Sequence, residues 1–120
     1  MVDILKDRVI SEKDAVMFDI DDTLIFINGQ ANLQIINLLK YAMNLGYKII
    51  IITARPNTVF TEMFTKWQLK KYGIPYHSLI ITPAQNKGNV KVQTGLNYIL
   101  SVGDQPTDLT HTKYAIKISI

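Results

Sequence analysis

Four short stretches of this chain, Ala15 to Asp19 (AVMFD), Tyr47 to Thr53 (YKIIIIT), Ser78 to Thr82 (SLIIT) and Tyr98 to Gly103 (YILSVG), are nearly continuous in apolar character. A strand with one wet face alternates apolar and polar residues, whereas a strand covered on both faces does not. The runs therefore predict strands of a mainly parallel sheet with helices packed on either side. A fifth run, Ala115 to Ile120 (AIKISI), alternates and reads as an edge strand. With amphipathic stretches between the runs, the fold class is α/β.

The connections carry helix signals. Leu33, Ile36, Leu38, Leu39, Ala42, Met43 and Leu45 recur at helical spacing, with Gly46 placed to stop the helix in a left-handed cap. A second helix is expected from Thr58 to about Tyr72, with Val59, Met63, Trp67 and Tyr72 on or near one face and a Gly73-Ile74-Pro75 stop. A third, interrupted by glycine, covers roughly Gln85 to Thr94, and a short fourth begins at Pro106. The segment Leu24 to Gln30 ends in Asn28-Gly29-Gln30, and Asn-Gly after an apolar run is a strong hairpin signal, so a small flap is expected there.

With 120 residues the chain fits one domain, 1-120, whose sheet needs no disulfide or structural metal. Cysteine is absent, which excludes a thiolate metal site and a cysteine nucleophile. The charged N-terminal stretch has no signal-like apolar core, and the longest apolar run, Ile49 to Ile52, is far too short to cross a bilayer. A cytoplasmic protein without a membrane partner is expected. The formal charge is +3, yet five of the ten acids fall in two clusters, Asp19/Asp21/Asp22 and Asp104/Asp108. Clustered acids in an otherwise basic chain suggest a cation site.

Those clusters lie where strands end, and in an open parallel sheet ligands bind beyond the carboxyl ends of the strands. In Asp19-Ile20-Asp21-Asp22-Thr23, the first and third residues would point the same way from an extended backbone and could face one ion and one reacting group. A hard dication with oxygen ligands, most simply Mg²⁺, would relieve their repulsion. The second strand ends in Thr53-Ala54-Arg55, which offers a hydroxyl, a backbone N–H and a guanidinium for a phosphoryl group. Lys87, beyond the third strand, could neutralise charge there, and Lys91 one helical turn later could serve instead. The fourth strand returns carboxylates through Gly103-Asp104-Gln105-Pro106-Thr107-Asp108.

The Asp19 to Thr23 segment resembles the first motif of haloacid dehalogenase-type phosphatases, and Thr53, Lys87 and Gly103-Asp104…Asp108 resemble the second, third and fourth. The resemblance implies a three-layer Rossmann-like domain and hydrolysis of phosphomonoesters through an aspartyl-phosphate on Asp19, with Asp21 as general acid/base. It implies Mg²⁺ bound by Asp19, the backbone carbonyl of Asp21, Asp104 and Asp108, the last as a ligand or its support. Thr53, Ala54, Arg55 and Lys87 would bind the phosphoryl oxygens. The opening and closing motifs are similar to the acid phosphatase-like branch. Thr53-Ala54-Arg55, Thr65-Lys66-Trp67 and Tyr72 to Pro75 are similar to the phosphatase domain of polynucleotide kinase-phosphatases. The spacings leave no room for a cap domain, so the crevice should be open to a large substrate or closed by an oligomeric partner. The expected substrate is a phosphorylated small molecule, such as a nucleotide, or a nucleic-acid end.

Plainer readings stand beside these. Asp104 could merely cap the helix at Pro106, Arg55 could pair with a nearby acid, and Trp67 reads better as helix core with Lys66, Lys70 and Lys71 as a solvated face than as a nucleic-acid platform. His77 and His111 lack ligand spacing and read as structural or surface residues. A receiver domain shares the size and acidic pocket but needs its acceptor aspartate after the third strand, where Thr82-Pro83 stands. A catalytically inactive binding module on the same fold is the remaining alternative.

Overall fold

A computed structural model describes residues 2–119. In chain order it contains α1 (Val2–Lys6), β1 (Asp14–Phe18), α2 (Leu33–Leu45), β2 (Lys48–Thr53), α3 (Val59–Lys71), β3 (Ser78–Ile81), a 3₁₀ turn (Ala84–Asn86), α4 (Lys87–Thr94), β4 (Asn97–Gly103), a second 3₁₀ turn (Pro106–Asp108) and β5 (Tyr114–Lys117). The strands form one sheet in the order β3-β2-β1-β4-β5, and every pairing is parallel. The expected edge strand is β5; the last residue of that expectation, Ile120, lies outside the described residues.

The period of two along a strand divides the sheet's side chains between two cores. Val16, Phe18, Ile49, Ile51 and Val102 pack with Leu5 of α1, with Ile35, Ile36, Leu39 and Ala42 of α2, and with Leu69 of α3. Ala15, Met17, Ile50, Ile52 and Tyr98 form the other core, closed by Val90 of α4 together with Leu96. Helices thus cover both faces, one more thickly than the other. Gly46 ends α2 at φ 112, and its N–H reaches the carbonyls of Ala42 and Met43. Among the described residues no helix is long and apolar enough to cross a membrane.

The α1 turn has no counterpart in the sequence reading, because five residues are too few to show a helical period. It is tied down by Tyr47, whose buried hydroxyl donates to the Leu5 carbonyl at 2.7 Å. The flap is a turn held by one antiparallel bridge, Ile25 to Ala31, with the Phe26 N–H on the Gln30 carbonyl and Gly29 at φ 90.

One expectation is overturned. The stripe of Val59, Met63 and Trp67 on α3 faces solvent, and Trp67 is 56% exposed. The helix buries only Thr65 and Leu69. Those two are one turn apart, and Trp67, midway between them in sequence, is carried to the opposite side.

Candidate active site

The strand order reverses direction between β1 and β4, so the natural ligand crevice lies beyond the carboxyl ends of these two strands. Asp19 follows β1, and its N–H is held by the Val102 carbonyl of β4 at 3.0 Å. The chain then wraps around Ile20, whose carbonyl accepts from the N–H groups of Thr23, Leu24 and Ile25. Asp22 adopts the left-handed conformation at φ 60, and its Oδ1 accepts from the N–H of Ile27. Thr23 is fully buried, and Asn32 at the start of α2 donates from Nδ2 to the Thr23 carbonyl at 3.0 Å.

This turn separates the first two aspartates. Asp19 is buried, and its Oδ1 accepts from Lys87 Nζ at 2.9 Å. Asp21 is exposed, and its carboxylate takes a two-point contact from Arg55, with Nε to Oδ2 at 3.0 Å and Nη2 to Oδ1 at 2.8 Å. Arg55 is itself anchored by Nη1 on Thr65 Oγ1 at 3.0 Å. The plainer sequence reading of Arg55, pairing with a nearby acid, is therefore the arrangement observed. In the sequence Thr65 enters only as part of the resembling Thr65-Lys66-Trp67 segment, with no role of its own; nothing points a threonine inside an amphipathic helix at Arg55 until the helix is rotated onto the sheet.

Lys87, the first residue of α4, is buried and also reaches Asp108 Oδ1 at 2.5 Å. The other oxygen of Asp108 accepts from the Gln105 N–H at 3.1 Å. Asp108 folds back onto Gly103, where an added Cβ would stand 2.3 Å from Asp108 Oδ2. Only glycine leaves that space. Lys91 points elsewhere: its three donors serve Ser101 Oγ at 2.9 Å and the carbonyls of Asp108 and Thr110, each at 2.7 Å. Of the two lysines, Lys87 is the one among the carboxylates.

Carboxylate oxygens of Asp19, Asp104 and Asp108 lie within 4.8 Å of one another. The carboxylate of Asp21 is not in that trio; the resemblance assigned it only a backbone carbonyl. The three residues fit a hard dication: all donors are oxygens, two of the three residues are buried, and the Lys87 ammonium pairs with two of the carboxylates, those of Asp19 and Asp108. Without such a cation, burial pushes the Asp19 carboxyl up to about 7, with Lys87 opposing and Asp108 adding to the rise. Burial also tends to lower the Lys87 ammonium, but Asp19 and Asp108 prevail and hold it above its ordinary value. Burial brings Lys91 down to about 8 despite the pull of Asp108, and the charge of Lys87 adds to the drop.

At the end of β2, Thr53 is buried, with Oγ1 accepting from the Arg55 N–H at 3.3 Å, and Ala54 is exposed. His77 is structural, its Nδ1 accepting from the Ile49 N–H at 2.8 Å. His111 is at the surface, against Thr110.

A family model for haloacid dehalogenase-like hydrolases matches residues 16–109. No curated protein sequence matches the chain. Solved structures share its fold, among them the following two. A chain of a Pnkp1/Rnl/Hen1 complex has a TM-score of 0.67 at 21% identity, over 88% of this chain and 46% of that one. A chain of the Pnkp1/Rnl/Hen1 RNA repair complex has a TM-score of 0.64 at 20% identity, over 88% of this chain and 42% of that one. This chain spans less than half the length of either, and at such identities the likeness is one of fold.

Proposed function

The chain belongs to the haloacid dehalogenase-like hydrolases, and from that premise we propose that it is a magnesium-dependent phosphomonoester hydrolase with Asp19 as its nucleophile. The observation that carries this reading is the convergence of Asp19, Asp104, Asp108 and Lys87 at the reversal of strand order.

In this reading a carboxylate oxygen of Asp19 attacks phosphorus while the bond to the leaving oxygen breaks on the far side, and Asp21 supplies that oxygen's proton. Water then attacks the phosphorus of the aspartyl-phosphate and gives its proton to Asp21. Inorganic phosphate departs and the Asp19 carboxylate is restored. Asp19, Asp104, Asp108 and the Asp21 carbonyl would hold Mg²⁺, which supplies charge neutralisation for the phosphoryl group.

Lys87 holds the Asp19 and Asp108 carboxylates in place and offers its ammonium to a phosphoryl oxygen. The Thr53 hydroxyl and the Ala54 N–H lie at the adjoining strand end, suited to the remaining oxygens. Arg55 fixes Asp21 at the rim of the crevice, on the side from which the leaving group departs, and Asp21 must turn from Arg55 to donate its proton.

Hydrolysis of a generic aryl phosphate tests the reading. Turnover is expected with Mg²⁺, to be lost in EDTA, and to be abolished in Asp19→Asn while the circular dichroism spectrum is unchanged. Full activity in EDTA or in that variant would refute the mechanism, and a folded but inert wild-type chain would favour a binding module.

A further inference from the structure

One side of α3 leaves a run of bulky apolar side chains uncovered. Val59, Phe60, Met63, Phe64 and Trp67 are each more than half exposed. A helix that turns its bulkiest side chains to solvent and buries a threonine and a leucine has its amphipathic sense reversed, which marks a surface that something else covers.

Its position indicates what that is. The Arg55 guanidinium, which clasps Asp21, also lies 6.0 Å from the centre of the Phe64 ring. Phe64 is followed one turn later by Trp67, their ring centres 5.8 Å apart and tilted by 35°. Lys71 sits 5.3 Å from the Trp67 ring and 5.7 Å from that of Tyr72. Lys70 is exposed in the same last turn. The acid on this helix, Glu62, is paired with Lys66 at 3.4 Å. A group leaving past Asp21 therefore meets, in order, a guanidinium, two aromatic faces and exposed ammonium groups. Stacking faces interleaved with cations suit a chain of bases joined by phosphates.

We propose that the exposed face of α3, through Phe64, Trp67 and Lys71, binds the single-stranded nucleic acid whose terminal phosphate enters the crevice at Asp19. This inference rests on the phosphatase reading for its chemistry, but the binding can be measured without turnover. Trp67 is the only tryptophan in the chain, so its fluorescence reports contact at this face.

The test titrates Asp19→Asn with a single-stranded oligonucleotide of about ten nucleotides carrying a terminal phosphate, a length within the range of known single-strand sites. Quenching of Trp67 is expected, with affinity falling as salt rises and falling further in Lys71→Ala. In the otherwise native chain, Phe64→Ala with Trp67→Ala should lower kcat/KM for the oligonucleotide about 10- to 100-fold, since stacking contributes about 1–3 kcal/mol per base. Turnover of glycerol phosphate, which reaches the crevice but not the platform, should not change. Separate 3′- and 5′-phosphorylated oligonucleotides, as DNA and RNA, identify which end is taken.

Unquenched fluorescence, or equal losses on both substrates, overturns the proposal. So does a wild-type dimer that the double substitution renders monomeric with oligonucleotide turnover intact, which would make a second copy of the chain the occupant. Quenching without phosphatase activity would sustain the surface and refute the chemistry, so the two failures are distinct.

Discussion

The two buried lysines of α4 show how little spacing says about role, since Lys87 and Lys91 share one helix and one face yet bond to different things. Lys87 is surrounded by carboxylates, so Lys87→Met should reduce turnover by at least about 100-fold, as removal of a preorganised charge partner does, while leaving a folded protein. Lys91 instead fastens the segment after β4 to the strand through Ser101 and two carbonyls. Lys91→Met strands those acceptors in a buried setting and should lower unfolding free energy by about 3 kcal/mol, read as an early denaturant midpoint. If the two variants exchanged phenotypes, the assignment would be reversed. Gly103 yields a similarly local prediction. A methyl group there meets Asp108 at 2.3 to 2.5 Å, so Gly103→Ala must push Asp108 away from Lys87. Activity should fall at least as far in that variant as in Asp108→Asn, and a fully active Gly103→Ala would show that Asp108 is not needed where it stands.

Elements were legible in proportion to how uniformly their surroundings treat them. Strands β1, β2 and β4 are buried along nearly their whole length, so their apolar runs announced them, and Gly46 marked the end of α2. The rotation of α3 was not legible. Its apolar stripe looked like a core face, and only the docking of Thr65 and Leu69 shows that the stripe looks outward. The contact between Arg55 and Asp21 was equally hidden, because it joins loops after two different strands across 34 positions of chain. The β2–β3 edge supports a prediction about pH. His77 accepts the Ile49 N–H through Nδ1, and burial, aided by the charge of Lys48, holds its pKa below the ordinary 6.5. The unfolded chain then takes up a proton before the native one does, so stability is present above 6.5 and declines as pH falls below it. Replacing the ring by His77→Gln should flatten that part of the stability–pH curve, measured by denaturant unfolding. An unchanged slope would mean that His77 takes up its proton alike in the native and the unfolded chain.

For the molecule as a whole, the decisive quantity is the charge gathered at the reversal of the sheet. Burial raises the Asp19 carboxyl from 3.8 to about 7, so between those values the native state binds a proton that the unfolded chain has released. Metal-free stability should therefore fall as pH rises through that window. A bound dication inverts the preference, because only the ionised carboxylate is a ligand, and its binding must displace the proton. The affinity for Mg²⁺ should thus increase with pH until about 7 and level off above it. Ligand that binds only the native state at about a hundred times its Kd adds about 2.7 kcal/mol, or roughly 10 °C in Tm for a chain of this size. Thermal melts should show that increment near neutrality, a smaller one well below pH 7, and almost none in Asp104→Asn at either pH. A shift independent of pH, or one that survives Asp104→Asn, would place the cation somewhere other than among Asp19, Asp104 and Asp108.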